Sequence, residues 1–135
     1  MAYKGRWFKK DELKCRCCGY YVYNEKLLIL LDKIRDRWGE PILVNCSSRC
    51  PDHNRAVGGV SNSHHITGKA ADIRPSSAGR VYALYTTILT MYQNNELPEL
   101  GGIGIYDTFV HVDVHKVDHL RKWDKREMTQ HVGPY

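Results

Sequence analysis

The 135-residue chain lacks several features that would assign a protein to a class at once. It has no stretch of about 18 consecutive apolar residues, so we expect no transmembrane helix and no membrane partner. Residues 1–8 lack the apolar core of a secretory signal peptide, so we expect synthesis in a cytoplasm without such a signal. There is no internal repeat and no low-complexity tract. The length predicts one domain over 1–135, with a cysteine-containing N-terminal segment (1–23) and a polar tail (116–135).

The charge of the chain has only a modest excess of one sign. Twenty Lys and Arg residues against fifteen Asp and Glu residues give a net charge of +5. This excess favours anionic partners, such as nucleic acid, phospholipid or an anionic cell-wall polymer. Because the basic residues are scattered, the sequence favours a solvated basic surface over a dedicated nucleic-acid groove.

Cysteine is present in an odd number, which cannot pair completely within one chain. Without an export signal, metal binding or thiols are favoured over a disulfide framework. Their spacing differs from that of a zinc finger with two regular pairs. We interpret them as buried or partly paired residues that tie the N-terminal loop to the segment around residue 48, with a structural zinc on four of them as the alternative. The five are Cys15, Cys17, Cys18, Cys46 and Cys50.

The periodicity of apolar residues predicts two main helices and several short strands. One helix follows the N-cap residue Asn24 and ends at Gly39, and the other runs from about Ser76 to Asn94. Residues 46–68 have the composition of a long loop, and such loops are usually functional. Helices combined with hairpin-linked strands indicate a small α+β domain with an antiparallel sheet. The predicted strands are 42–44, 70–74, 103–106 and 109–115.

Residues 109–115 alternate between an apolar and a polar face. Side chains alternate across a strand, so the valines at 110, 112 and 114 share the face toward the core. The other face carries two imidazoles and a carboxylate, which suit a cation better than solvent, although a solvated strand face is the alternative. That face consists of Phe109, His111, Asp113 and His115.

A second group of residues lies between positions 63 and 72. If a strand begins near Gly68, then Gly68, Ala70 and Asp72 point to one side and leave open space beside a carboxylate. The alternative is that the small residues admit a helix and Asp72 caps a turn. Taken together, His65, Asp72 and His111 offer two nitrogens and one oxygen, the form of a catalytic zinc site on a sheet face with a fourth position for water.

These motifs resemble those of the zinc D-alanyl-D-alanine carboxypeptidase family, which includes murein endopeptidases and phage endolysins. The likeness is greatest to its small single-domain branch and extends over residues 8–114. The segments 49–59 and 101–113 also resemble that branch. The two zinc motifs are Ser63-x-His65-x-x-Gly68-x-Ala70-x-Asp72 and His111-x-Asp113.

The resemblance implies that one catalytic Zn²⁺ is held by His65, Asp72 and His111. It also implies that Arg49 contacts the carboxylate or the peptide carbonyl of the substrate, a task that suits a planar guanidinium. A structural salt bridge is the alternative for Arg49.

The general base is less clearly marked than the zinc ligands. Many members of the wider family have an acidic residue three positions before the last zinc histidine, where this chain has Thr108. We predict Asp113 as the base, because it shares a strand face with His111, and Asp107 as the reserve. Asp113 could instead orient a histidine or act as a fourth ligand.

Two further residues are candidates for substrate binding. Ser63 could bind substrate or position its loop, and His115 lies at the rim of the functional face.

We therefore expect a monomeric zinc peptidase that hydrolyses peptidoglycan stem peptides, as a D-Ala-D-Ala carboxypeptidase or a murein endopeptidase. It would reach the cell wall after release by another factor, as phage lysins do, or as part of a virion, and it would not bind nucleic acid. A catalytically weak or inactive cell-wall binding module of the same fold is the alternative. A cysteine–zinc nucleic-acid module and a thiol hydrolase are weaker alternatives.

Overall fold

The computed structural model describes residues 3–58 and 63–126, so residues 127–135 of the predicted tail lie outside the described part. Within the described ranges, no helix is long and apolar enough to cross a membrane. Helices and strands alternate irregularly along the chain. The helices are α1 (Lys10–Leu13), α2 (Glu25–Trp38), α3 (Pro51–Ala56) and α4 (Val81–Gln93), and the strands are β1 (Ile42–Cys46), β2 (Ala70–Pro75), β3 (Gly102–Ile105), β4 (Val110–Asp113) and β5 (Arg121–Asp124).

The two long helices, α2 and α4, are those predicted from periodicity. The side chain of Asn24 caps α2 by accepting a hydrogen bond from the Leu27 amide at 3.1 Å. Gly39 ends α2 in the left-handed conformation, with φ of 79°. Helix α4 begins at Val81, later than predicted, because the preceding turn contains Gly79 with φ of 88°, which is incompatible with a helix.

The five strands form one sheet in the order β1-β2-β4-β3-β5. The pairs β1–β2, β2–β4 and β4–β3 are antiparallel, as predicted, whereas β5 runs parallel to β3. The α+β class is confirmed, but the sheet is mixed rather than antiparallel. The difference arises from β5, whose polar sequence lacks the apolar alternation that marks a strand.

The region predicted as a long loop, residues 46–68, contains the short helix α3. Its first residue is Pro51, which suits the first helical position because no hydrogen bond is required of its nitrogen there. The amide of Asn54 donates to the Cys50 carbonyl at 2.9 Å and closes the first turn. Helix α3 shortens the irregular part of the region and places Arg49 and Cys50 directly before a helix.

The hydrophobic core lies between one face of the sheet and the long helices. Val110 and Val112 of β4 are fully buried in this core, as their alternation with polar residues predicts. The opposite face of the sheet is left to polar residues from β2 and β4. Core side chains from the long helices and strands include Leu30, Leu31, Ile34, Ile73, Leu84, Ile88 and Ile103.

Candidate metal centre

Strand register brings the predicted metal ligands of β2 and β4 side by side. Asp72 lies directly opposite His111 across the β2–β4 ladder. His65 lies on the segment that leads into β2, and its side chain reaches the same carboxylate. The exposed fractions of His65 and Asp72 are only 5% and 9%. The structure therefore brings all three residues together on the polar face of the sheet.

The carboxylate of Asp72 is held between the two imidazoles. Its Oδ1 lies 3.0 Å from His111 Nδ1, and its Oδ2 lies 3.4 Å from His65 Nε2. The two imidazole rings are nearly perpendicular, with centroids 5.4 Å apart. Each imidazole thus contacts a different oxygen of one buried carboxylate.

The remaining nitrogen of each imidazole is fixed by a neighbouring acceptor. His65 Nδ1 lies 2.8 Å from the Ser47 carbonyl oxygen, which can only accept a hydrogen bond. His111 Nε2 lies 2.8 Å from Asp113 Oδ2. Hydrogen bonds of this kind orient imidazole ligands in metal sites. They leave His65 Nε2 and His111 Nδ1 directed toward Asp72.

Burial and pairing shift the pKa values of this cluster in opposite directions. Burial lowers the pKa of His65, but its contacts with Asp72 and Cys46 outweigh burial and raise the pKa to about 10. The pKa of His111 is also raised, because its contacts with Asp113 and Asp72 outweigh burial. Burial raises the pKa of Asp72, but the two imidazoles hold it well below its usual range. The negative charge of Asp72 therefore lies beside two imidazole nitrogens, and each of these can lose its proton.

Two imidazole nitrogens and a carboxylate oxygen are the donors that zinc takes in catalytic sites. With metal–ligand bonds of about 2.0–2.2 Å, neighbouring donors of a tetrahedral ion are about 3.4 Å apart. His65 Nε2 and Asp72 Oδ2 have this separation, at 3.4 Å. The chemistry of the three donors fits a zinc ion, and the separation of these two donors fits it as well.

Cys46 forms a second possible set of ligands together with His65 and Asp72, which the sequence did not indicate. One ligand atom each from Cys46, His65 and Asp72 lie within 4.8 Å of one another, whereas His111 is outside this group. Cys46 follows an irregularity in the β1–β2 ladder and lies opposite Asp72. Burial raises the pKa of its thiol, but contacts with His65 and Arg49 outweigh burial and lower it. Cys46 is therefore a further candidate ligand.

Asp113 is fully buried, and both of its oxygens have partners. Oδ2 faces His111, and Oδ1 accepts from the Arg121 guanidinium and from the His115 amide at 3.1 Å. Burial raises the pKa of Asp113, but its contacts with His111 and the charge of Arg121 outweigh burial and lower it. Asp113 is therefore an ionised acceptor behind the His111 ring.

Arg121 and Trp123 of β5 are site residues that sequence reasoning missed. They reach His111 and Asp113 across β3, because β3 carries glycine where their side chains pass. A Cβ atom at Gly102 would lie 2.6 Å from both Arg121 Nη2 and Asp113 Oδ2, and one at Gly104 would overlap the Trp123 indole. The glycines in the motif from 101 to 104 were a usable signal, since they admit a close approach.

Three further sequence candidates lie around this centre. Arg49 donates to Asn54 Oδ1 at 2.9 Å and to Cys46 Sγ at 3.4 Å, and its own amide donates to the His65 carbonyl. Ser63 Oγ accepts from the His65 amide at 3.2 Å, which is the loop-positioning contact considered for it. His115 follows β4, and its ring stacks on His64 with centroids 4.2 Å apart.

A cleft of about 500 Å³ lies at the end of the sheet where β2 ends and the β3–β4 turn begins. Arg74 lines it, and since Arg74 is two positions beyond Asp72 on β2, the two residues share a face. Asp107 and Thr108 of the β3–β4 turn also line it, whereas its described lining includes none of the candidate zinc ligands. The reserve carboxylate, Asp107, therefore borders open space.

These contacts define a candidate metal centre on the polar face of the sheet in an α+β domain. A model of the Peptidase M15 family matches residues 6–113. The chain belongs to this family of zinc D-alanyl-D-alanine carboxypeptidases, as its motifs predicted. Membership supports a zinc peptidase that acts on peptidoglycan. No curated protein matches the chain.

Proposed function

We propose that the protein hydrolyses peptide bonds in peptidoglycan stem peptides, as a D-Ala-D-Ala carboxypeptidase or a murein endopeptidase. The observation that carries this proposal is the buried Asp72 carboxylate between His65 and His111, within a region that matches a peptidase family. A zinc ion, when bound there, lowers the pKa of water and polarises a carbonyl group. The substrate is a peptide, and the acting unit is a monomer.

The residues of the proposed site are of two kinds: those that bind the ion, and those that hold these ligands in place. His65, Asp72 and His111 bind the ion, with Cys46 as the alternative to His111. The Ser47 carbonyl and Asp113 fix the two rings. Arg49 contacts the carboxylate or the oxyanion of the substrate, because its guanidinium lies beside Cys46 next to the His65 ring.

The contacts of Asp113 support a positioning role more than that of a general base. A base must reach the proton that it takes, whereas Asp113 is fully buried and both of its oxygens already have partners in His111 and Arg121. We propose that Asp113 orients His111. We propose Asp107, the reserve candidate, as the proton acceptor instead, because it lies on the turn that leads into β4 and His111 and borders an open cleft.

We propose that the cleft lined by Arg74 and Asp107 receives the peptide. Arg74 is exposed and offers a positive charge to the carboxylates of an acidic stem peptide. Ser63 and His115 are the substrate contacts proposed on the other side of the centre. The protein would reach its substrate after release from the cell, as a lysin does, or as a virion component.

One observation favours a second function, that of a zinc-containing cell-wall binding module without turnover. Thr108 stands where many members of the wider family have an acidic residue, and Asp113 is fully buried. Such a module would bind murein through the same cleft and leave it intact.

The test is a digestion of purified murein by zinc-loaded protein, followed by mass analysis of the soluble fragments. We expect fragments shortened at a peptide bond, and we expect a chelator or His65→Ala to abolish them. His119→Ala is the matched control, because this histidine is 72% exposed and pairs only with Asp118 in the contacts described. If the murein stays intact and the zinc-loaded wild type sediments with it, the peptidase proposal is wrong and the protein is a binding module.

A further inference from the structure

Four cysteine side chains meet at a second place, apart from the candidate metal centre. The sulfur atoms of Cys15, Cys17, Cys18 and Cys50 all lie within 4.8 Å of one another. Cys17 Sγ is 3.2 Å from Cys50 Sγ and 3.4 Å from Cys15 Sγ, and Cys15 Sγ is 3.9 Å from Cys50 Sγ. We propose that these four cysteines bind a structural zinc ion.

The spacing of the sulfur atoms fits a tetrahedral ion. Zinc–sulfur bonds of about 2.3 Å place the sulfurs of a four-cysteine site about 3.8 Å apart. The three distances between Cys15, Cys17 and Cys50 range from 3.2 to 3.9 Å. All five cysteines lie in the described part of the chain, and none of them forms a disulfide. The sulfurs are therefore close enough to share one ion and are not bonded to one another.

Ordinary packing does not account for this cluster. Unmodified cysteine that packs as a small apolar side chain is usually buried. Cys15 and Cys50 are buried here, but Cys17 and Cys18 are exposed. Four thiolates complete the coordination of zinc and leave no position for water, which is the arrangement of structural rather than catalytic sites. The cluster is thus a closed ligand set at the surface.

The backbone around residues 15–20 presents three of the ligands together. The Gly19 amide donates to the Cys15 carbonyl at 2.9 Å, and the Cys15 amide donates to the Tyr20 carbonyl at 2.6 Å. These two bonds close a tight loop. The fourth ligand, Cys50, comes from a distant segment, where it precedes α3.

The proposed ion would join the N-terminal segment to the loop that supports the candidate metal centre. The Ser48 amide donates to the Leu13 carbonyl at 2.8 Å, so the two segments already meet beside the cluster. Arg49, next to Cys50, binds the His65 carbonyl through its amide at 3.0 Å. The ion would therefore stabilise the loop that positions His65, whatever reaction the other site performs.

The test is the zinc content of purified protein, measured by elemental analysis for each chain. We expect two zinc ions in the wild type and one in the double variant Cys17→Ser/Cys50→Ser. The matched double variant His65→Ala/His111→Ala should also hold one, and its cobalt form should show the sulfur-to-cobalt charge-transfer absorption of a thiolate site. Because the two ligand sets share no residue, loss of one ion is separable from loss of the other.

A measurement on the wild type guards against variants that fail to fold. Alkylation of the exposed Cys17 and Cys18 should be blocked in zinc-loaded protein and restored after a chelator removes the metal. The proposal would be overturned by equal alkylation with and without zinc, by a native mass that shows a disulfide among the four cysteines, or by the absence of thiolate absorption from the cobalt form of His65→Ala/His111→Ala.

Discussion

The indole of Trp123 packs against the imidazole of His111, with ring centroids 5.1 Å apart. The two residues lie on strands that are not neighbours, since β3 runs between β5 and β4. Gly104 is the residue of β3 that pairs with both of them. The indole nitrogen also donates to the Tyr106 hydroxyl at 3.1 Å. An anchored aromatic ring thus forms one wall of the candidate metal centre.

Gly104→Ala should therefore damage both the fold and the site. The added methyl group would overlap the Trp123 indole, which must move away from His111. We expect a loss of about 1–3 kcal/mol in the free energy of unfolding, as for other overpacked cores. We also expect weaker zinc binding, because the ring of a ligand loses its support. Denaturant unfolding and a competitive zinc titration measure the two effects.

A double-mutant cycle supplies the control for this prediction. In the background of Trp123→Ala the methyl group at position 104 has room, so the added cost of Gly104→Ala should largely disappear. A cost that is the same in both backgrounds would show that backbone effects, and not the overlap with the indole, explain the loss.

Asp113→Asn should affect zinc binding more than it affects proton transfer. The asparagine side chain can still accept a hydrogen bond. The substitution removes the negative charge that faces His111 Nε2 and pairs with Arg121. We expect zinc affinity to fall about 10- to 100-fold, the usual cost of losing a residue that orients a metal ligand. With saturating zinc, the acidic limb of the pH–rate profile should remain.

Asp107→Asn is the matched variant for the role of general base. It should bind zinc as the wild type does and should lose turnover by about 10²–10⁴-fold, the range for removal of a general base. If instead Asp113→Asn abolishes turnover at full zinc occupancy and Asp107→Asn is neutral, Asp113 is the base.

Zinc uptake should release protons and should weaken in acid. In the metal-free protein the pKa of His65 is raised to about 10, so its imidazole is protonated at about pH 8, although the unperturbed value is near 6.5. An imidazole must lose this proton before it binds a metal, so zinc affinity should rise with pH up to about 10. Calorimetric titration in two buffers with different ionisation enthalpies measures the release. Zinc binding without proton release at about pH 8 would contradict the pairing of His65 with Asp72.

The parts of the fold that could be predicted are those with local causes. Helix α2 follows from a cap at Asn24 and a glycine stop at Gly39, both of which act within a few residues. The two faces of β4 follow from strict alternation, which places Val112 in the core and His111 on the polar face. Such signals need no knowledge of the rest of the chain.

The parts that could not be predicted depend on distant pairing. The sequence of β5 has no apolar alternation; the strand pairs with β3, where Gly102 and Gly104 leave room for the side chains of Arg121 and Trp123. Cys46 reaches the site because the register shifts within β1 after Val44. Neither effect is visible in the segment that carries it.

Asp32→Ala should destabilise the protein more than a substitution at an exposed position of the same helix. The carboxylate is 2% exposed and accepts hydrogen bonds from the Tyr3 hydroxyl and from the amides of Arg6 and Trp7. Its loss leaves these donors without an acceptor, so we expect a cost of about 2–3 kcal/mol. Asp36→Ala is the control, because Asp36 is an exposed carboxylate on the same helix, whose contacts with Arg6 and with the Trp7 indole nitrogen should contribute little. Urea unfolding compares the two, and equal costs would show that the three hydrogen bonds accepted by Asp32 do not stabilise the fold.

Arg74→Ala should weaken substrate binding without impairing the chemical step. Arg74 is exposed in the cleft, and its Nε donates to Asn45 Oδ1 at 2.9 Å, which holds the charge near the end of β2. Stem peptides carry free carboxylates, so we expect KM to rise about 3- to 10-fold, as for a partly screened charged hydrogen bond, with kcat nearly unchanged. Added salt should raise the KM of the wild type and should affect Arg74→Ala less. Arg80→Ala, which breaks an exposed pair with Glu40, is the control and should leave KM unchanged. A fall in kcat at constant KM would move Arg74 from the binding of the peptide to the reaction itself.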